Sequence, residues 1–372
     1  MQSMKKLNAY RSIQIAIVTA LFGVLPLSSN VAAQATNDVV AAAQTQALQT
    51  WHESVKQAGP PAEGCWSISY PDHIWKQETC GKVTSYRSTP PIVRPILPAA
   101  SHSTAADFSS KAAAGNSANT TGDGTDYSAL TASLTRSATG SFPTVKGVTS
   151  ESGAYGANSY TLQLNTNISD DVVQLGNTSP YCKSNGYKKC ATWQQFIYST
   201  DEGSGYPEVF IQNWLFIGKG DKCPAGWGSF SQGYYGCYIN SNGVKVPNVL
   251  VKNLATVKLA GSATAGGNDT VTYTYGTKVY AISQKDSTLD IASSWKQSEF
   301  NIVGDGSDSP AANFNKGSSL TVKLAVNDGS TKAPTCVGPS NGGTTGEYNN
   351  LTLGKCTASS GSTPSIQFVE SN

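Results

Sequence analysis

Apolar and polar residues alternate at period two in many short stretches of this chain. Tyr160-Thr161-Leu162-Gln163-Leu164-Asn165 is one, and Thr270-Val271-Thr272-Tyr273-Thr274-Tyr275 is another. The second runs through Gly276-Thr277 into Lys278-Val279-Tyr280-Ala281-Ile282, which predicts a hairpin. Similar patterns predict strands over 193–198, 209–216, 244–251, 256–261, 299–303, 319–326, 350–353 and 365–369. Helical periodicity is nearly absent from 141–372. The pattern predicts an all-β chain, a two-sheet antiparallel β-sandwich of the jelly-roll or concanavalin-like kind.

The text before residue 141 reads differently. Lys5, Lys6 and Arg11 precede an apolar run over 13–27, and Ala33-Gln34-Ala35 follows it, which fits a signal peptide over 1–35. That run is shorter than the ~20 residues a membrane-spanning helix needs. An Ala/Gln-rich stretch, 37–57, ends at Gly59-Pro60-Pro61 and predicts a short helix. With the aromatic loop enclosed by Cys65 and Cys80, it makes 36–89 an N-terminal helix and disulfide loop, a candidate prosegment. Residues 90–140 are Pro-rich, then rich in Ser, Ala, Thr and Gly. They hold too little apolar surface to offset chain entropy and are expected to form a disordered linker. The sandwich is expected over 141–372.

Charge narrows the partners. Lys+Arg number 26 against 24 Asp+Glu, so the net charge of +2 draws neither nucleic acid nor an anionic membrane. The expected partner is a polypeptide substrate or, on another reading, a glycan. Only 13% of residues are charged, while Gly reaches 36 and Tyr 17, a composition suited to a secreted, extracellular or periplasmic β-protein. The 8 cysteines fall in neighbouring couples around Gly- or Asn-rich loops. Their simplest pairing is Cys65 with Cys80, Cys182 with Cys190, Cys223 with Cys237, and Cys336 with Cys356.

Missing residue types restrict the chemistry further. The 3 histidines, His52, His73 and His102, all precede the expected sandwich. A Ser-His-Asp triad or His-ligated zinc is therefore excluded there, and the cysteines are committed to disulfides. No metal and no cofactor is expected. Carboxylates must carry any catalysis. Asp269 and Asp305 sit in Gly-rich turn text, but Glu299 opens the apolar strand Phe300-Asn301-Ile302-Val303. Glu299 and Asn301 share a strand face, and a carboxyl on a partly apolar face is suited to general acid–base work. A second polar cluster is Trp193-Gln194-Gln195-Phe196-Ile197-Tyr198 with Phe210-Ile211-Gln212-Asn213-Trp214. Amides among aromatics imply a cleft, either for an oxyanion or for sugar hydroxyls.

At these residues the chain resembles the glutamic peptidases of the eqolisin type and, more loosely, the plant neprosin group. The stretches that carry the likeness are 162–167 with Cys182, Cys190 and Trp193-Gln194-Gln195-Phe196, then 209–215 with Trp214, then Ser298-Glu299-Phe300-Asn301-Ile302-Val303. The resemblance implies a sandwich with a cleft across one sheet and a catalytic Gln/Glu pair. Phe196 and Tyr198 stand where Gly and Asp are expected, and Gln194 and Gln195 compete for the Gln position. Gln194 is preferred because it leaves Trp193 and Ile197 together on the core face. Gly64-Cys65-Trp66, the Trp-Gln-Gln-Phe strand and the 346–350 region also resemble a group of secreted bacterial proteins, which brings no activity with it.

The expectation is a secreted acid endopeptidase. Glu299 would activate water, Gln194 or Gln195 would hold the oxyanion, and Trp214, Tyr198, Gln212 and Asn301 would bind substrate. The alternatives are a non-catalytic carbohydrate- or surface-binding sandwich and a glycoside hydrolase. The last needs a second carboxyl near the first, for which Glu347 is the candidate.

Overall fold

A computed structural model describes residues 29–83, 120–122, 124–172, 174–200, 205–231, 235–305, 311–339, 343 and 345–372. Most of the expected signal peptide, residues 84–89 of the expected prosegment and residues 90–119 of the expected linker therefore lie outside the described residues. By compactness the chain divides at Thr50. The described residues of the first unit are helical, part of the helix Ser29–Ala58, which is longer than expected and runs through the anticipated cleavage point at Ala35.

The unit from Trp51 onward is an all-β sandwich. Among the described residues its strands form a 14-stranded and a 10-stranded sheet, nearly all pairings being antiparallel. The predicted hairpin appears as Asn268–Tyr275 and Lys278–Lys285, in register from Asn268 opposite Lys285 to Tyr275 opposite Lys278. The strands Thr161–Thr166, Cys190–Ser199, Glu208–Ile217, Val257–Ala263, Gln297–Val303, Ser319–Asn327, Tyr348–Leu353 and Ser365–Ser371 also lie where the alternation places them. The expected strand over 244–251 is shorter, Asn242–Lys245, because Pro247 cannot donate to a ladder and a 3₁₀ turn, Val251–Thr256, follows.

The domain boundaries require correction. Thr120–Gly122, Ser128–Leu130 and Ser137–Lys146 are strands, although the expected linker covers most of them. Ser137–Lys146 lies between Val257–Ala263 and Ser319–Asn327 in the middle of the large sheet. Gly64–Ser69, from the expected prosegment, pairs with Lys278–Lys285. Low complexity misleads here because small Ser, Ala, Thr and Gly side chains leave room for partners from the facing sheet. A Cβ on Gly140 would stand 2.1 Å from the Phe300 ring, and one on Gly261 would stand 2.3 Å from Phe196. Glycine at both places lets an aromatic ring of the small sheet press onto the backbone of the large one.

Those rings, with Trp295, Leu164, Tyr273 and Val322, form the buried core between the sheets. All four expected disulfides are formed, Cys65–Cys80, Cys182–Cys190, Cys223–Cys237 and Cys336–Cys356. Among the described residues no helix is long and apolar enough to cross a membrane.

Candidate functional site

The small sheet aligns polar side chains on the face turned away from the core. Gln212 lies opposite Gln195, Gln195 opposite Asn165, and Asn165 opposite Glu299. Directly opposed residues share a face, so the four form a row across four neighbouring strands. Hydrogen bonds run along it. Trp214 Nε1 donates to Gln195 Oε1 at 2.8 Å, Gln195 Nε2 to Asn165 Oδ1 at 3.1 Å, and Asn165 Nδ2 to Glu299 Oε2 at 3.2 Å. At the far end Gln212 Nε2 donates to Asn240 Oδ1 at 2.9 Å. Trp193 and Trp214 stack beside the row with ring centroids 6.2 Å apart.

A branch leaves the row at Gln195, whose Nε2 also donates to Gln163 Oε1 at 3.1 Å. Gln163 Nε2 then donates to Glu347 Oε1 at 3.0 Å, and Thr345 Oγ1 bridges Gln163 Oε1 and Glu347 Oε2 at 3.0 and 2.5 Å. Glu347, the second carboxyl considered for a glycosidase, is linked to Glu299 through the amides of Gln163, Gln195 and Asn165.

The expected face assignment is reversed. Gln194 points into the core, where its Nε2 donates to Asp269 Oδ2 at 2.8 Å and to Asn213 Oδ1 at 3.0 Å. Phe196 and Tyr198 lie on that same inner face, and Tyr198 stacks on Tyr273 at 4.6 Å. Trp193 and Ile197 take the outer face with Gln195. Tyr198 is therefore no part of a substrate floor on the outer face. The reason is that residues 190–199 are buried on both faces, so apolar character does not mark which side faces the core.

Asn301 lies two residues along from Glu299 and gathers further carboxyls. Its Nδ2 is 3.2 Å from Asp126 Oδ2 and 3.2 Å from Glu370 Oε2. Asp126 is fully buried. Desolvation first, then the charges of Glu299 and Glu370, hold its carboxyl well above the usual range. Burial pushes Glu370 up to about 7, against the opposing hydrogen bonds from Thr121, Asn301 and Asn349. Asp126 and Glu370 are absent from the expected site. The first lies in the stretch read as linker, and the second lies one residue beyond the expected strand 365–369, in phase with the buried Ile366 and Phe368.

The site is enclosed. Gln195 is 1% exposed and Glu299 3%. Gly343 sits over the carboxylate so closely that a Cβ there would stand 2.9 Å from Glu299 Oε1. Among the described residues no group of three or more His, Cys, Asp or Glu is arranged to hold a metal ion. Chemically, the arrangement offers a carboxylate for proton transfer beside an ordered row of amide donors.

No family model matches the chain, and no curated protein matches it in sequence. Among solved structures it is similar to scytalido-glutamic peptidase with a transition state analog inhibitor, at 14% identity and a TM-score of 0.25, covering 67% of this chain and 98% of that one. It is also similar to SCP-B, a member of the Eqolisin family of peptidases, in complex with the tripeptide Ala-Ile-His. There the identity is 16%, the TM-score 0.26, and the coverage 67% of this chain and 97% of that one. At these TM-scores neither likeness carries an argument, and any functional reading rests on the site's own residues.

Proposed function

We propose that this chain is a secreted hydrolase of peptide bonds in which Glu299 is the general base and neighbouring amides stabilise the oxyanion. The observation that carries the reading is the hydrogen-bonded row Trp214–Gln195–Asn165–Glu299. A carboxylate accepts a proton from water as the water oxygen attacks the carbonyl carbon, and later returns it to the leaving amine. The negative charge that develops on the carbonyl oxygen needs a preorganised N–H. Asn165 Nδ2 is the amide donor bonded to Glu299, and Gln195 holds Asn165 in place, itself oriented by the Trp214 indole. Gln195 is thus the glutamine assigned to this chemistry, and Gln194 serves the core. On this reading Gly343 and Thr345, which lie against Glu299 and the Gln163–Glu347 branch, must give way for substrate to reach the carboxylate. Export is supported by the signal-like start and the four disulfides.

The test is hydrolysis of an unfolded protein across the acidic range by wild type and Glu299→Gln. Activity in the wild type and its loss in a normally folded variant support the reading, and an inactive wild type ends it. A second reading, a non-catalytic secreted binding sandwich, is favoured by the burial of Gln195 and Glu299. It predicts no hydrolysis by either protein.

A further inference from the structure

The outer face of the large sheet, turned away from the core, carries a groove of about 1000 Å³. Strand register sets its floor. Asn327, Ser137, Ser262, Thr270 and Ser283 follow one another directly across neighbouring strands. Strands lie about 4.8 Å apart, so hydroxyl and amide groups recur at that interval along the groove. Thr270 Oγ1 and Ser283 Oγ are hydrogen-bonded at 2.5 Å, which keeps that part of the row ordered.

Cations border this floor. Lys258 and Lys323 both lie opposite Ser141, from the strands on either side of it. Lys56 Nζ reaches down to donate to Thr139 Oγ1 at 2.5 Å. Arg136 lines the other end, where a Cβ on Gly329 would stand 3.1 Å from its Nη2, so glycine there lets the guanidinium lie against the loop. Glu53 is the one acid among the described lining residues, and neither ion pair found among the described residues, Lys76–Asp72 or Lys285–Glu63, involves these cations. Packing around Lys56, then the charge of Lys258, push its ammonium below the usual range, against the opposing charge of Glu53.

We propose that this groove binds an acidic polysaccharide, a chain of hydroxylated rings bearing carboxylates. The cations match its charge, and the hydroxyl row exchanges hydrogen bonds with its rings. The described lining holds no aromatic side chain, so it lacks the platform on which single-stranded nucleic acids stack their bases. It lacks equally the apolar projections that insert into a bilayer. The groove is independent of Glu299 and would hold the protein on a polyanionic matrix whichever reading of the other face is right.

The experiment is titration of the full-length protein with oligogalacturonate, with neutral dextran and anionic lipid vesicles run in parallel. Saturable binding to oligogalacturonate that weakens with salt is expected, with no binding to dextran. Lys56→Gln and Arg136→Gln should each weaken it about tenfold, the usual scale for a charge-assisted contact. Thr272→Trp, which fills the groove from a half-buried outward position, should abolish it. Glu299→Gln should bind as wild type does, which separates this site from the proposed hydrolytic one. Thermal melts confirm that each variant is folded. The proposal is overturned by absence of oligogalacturonate binding, by binding that the folded groove variants leave unchanged, or by capture on vesicles alone.

Discussion

Gln194 Nε2 donates to Asp269 Oδ2 at 2.8 Å, tying the strand Cys190–Ser199 of one sheet to Asn268–Tyr275 of the other. Both residues are fully buried. The adjacent Gln195 faces the opposite way and belongs to the amide row, so the two glutamines have separable roles.

Gln194→Ala should therefore lower stability by about 1–3 kcal/mol, the cost of leaving a buried acceptor without its donor. Gln195→Ala should instead cut peptide hydrolysis by ~10²–10³-fold, the scale of disturbing oxyanion stabilisation. Denaturant midpoints and kcat measured on both variants check the pair. If Gln194→Ala loses activity while keeping its stability, the assignment of faces to roles is wrong.

Stability should rise on acidification. Asp126, Glu151, Glu208, Asp269 and Glu370 are buried, and neither ion pair found among the described residues reaches them. Burial raises each carboxyl, Glu151 to about 8 and Glu208 and Glu370 to about 7, with Asp126 and Asp269 moved the same way. In the unfolded chain such groups titrate near about 4. The folded state thus keeps protons that the unfolded state has released. Their contribution is full below about pH 4 and is lost as pH rises through about 7 to 8. Urea midpoints across that window should fall steadily toward neutral and alkaline pH, and a rise would contradict the carboxyls' isolation from cations.

Glu299→Gln should abolish hydrolysis while the thermal melt moves little. The amide keeps the side-chain volume and can still accept a hydrogen bond from Asn165 Nδ2, but it cannot take a proton from water. Residual turnover close to wild type would remove Glu299 from the mechanism. Pepstatin, which targets paired aspartates, should leave the wild type uninhibited.

Residues 141–372 produced alone should not fold. The cut falls inside Ser137–Lys146, the strand that joins the two halves of the large sheet, and it discards Ser128–Leu130, which pairs with Gln297–Val303. It also removes Cys65 and Ile68 from the core. Circular dichroism and a melt on this fragment check the point. A cooperative transition would instead support a sandwich that begins at residue 141.

Much of the architecture is local and could be read directly. Alternation at 161–166, 268–275 and 319–327 marks strands because one side chain in two meets a core, and neighbouring cysteines pair because short loops close easily. Glu299 stands out as a carboxyl in apolar text. Alternation also dictates that Gln194 and Gln195 face opposite ways. Which of them meets the core was decided by the second sheet, since residues on both faces of 190–199 are covered and neither face carries a polar label. Asp126 is invisible for a related reason. Its neighbourhood is small and polar, and it becomes part of the site only when Ser128–Leu130 pairs with a strand far along the chain, Gln297–Val303. Long-range pairing joins residues whose partners are not written nearby, so their environment, and with it their chemistry, exists only in the assembled sandwich.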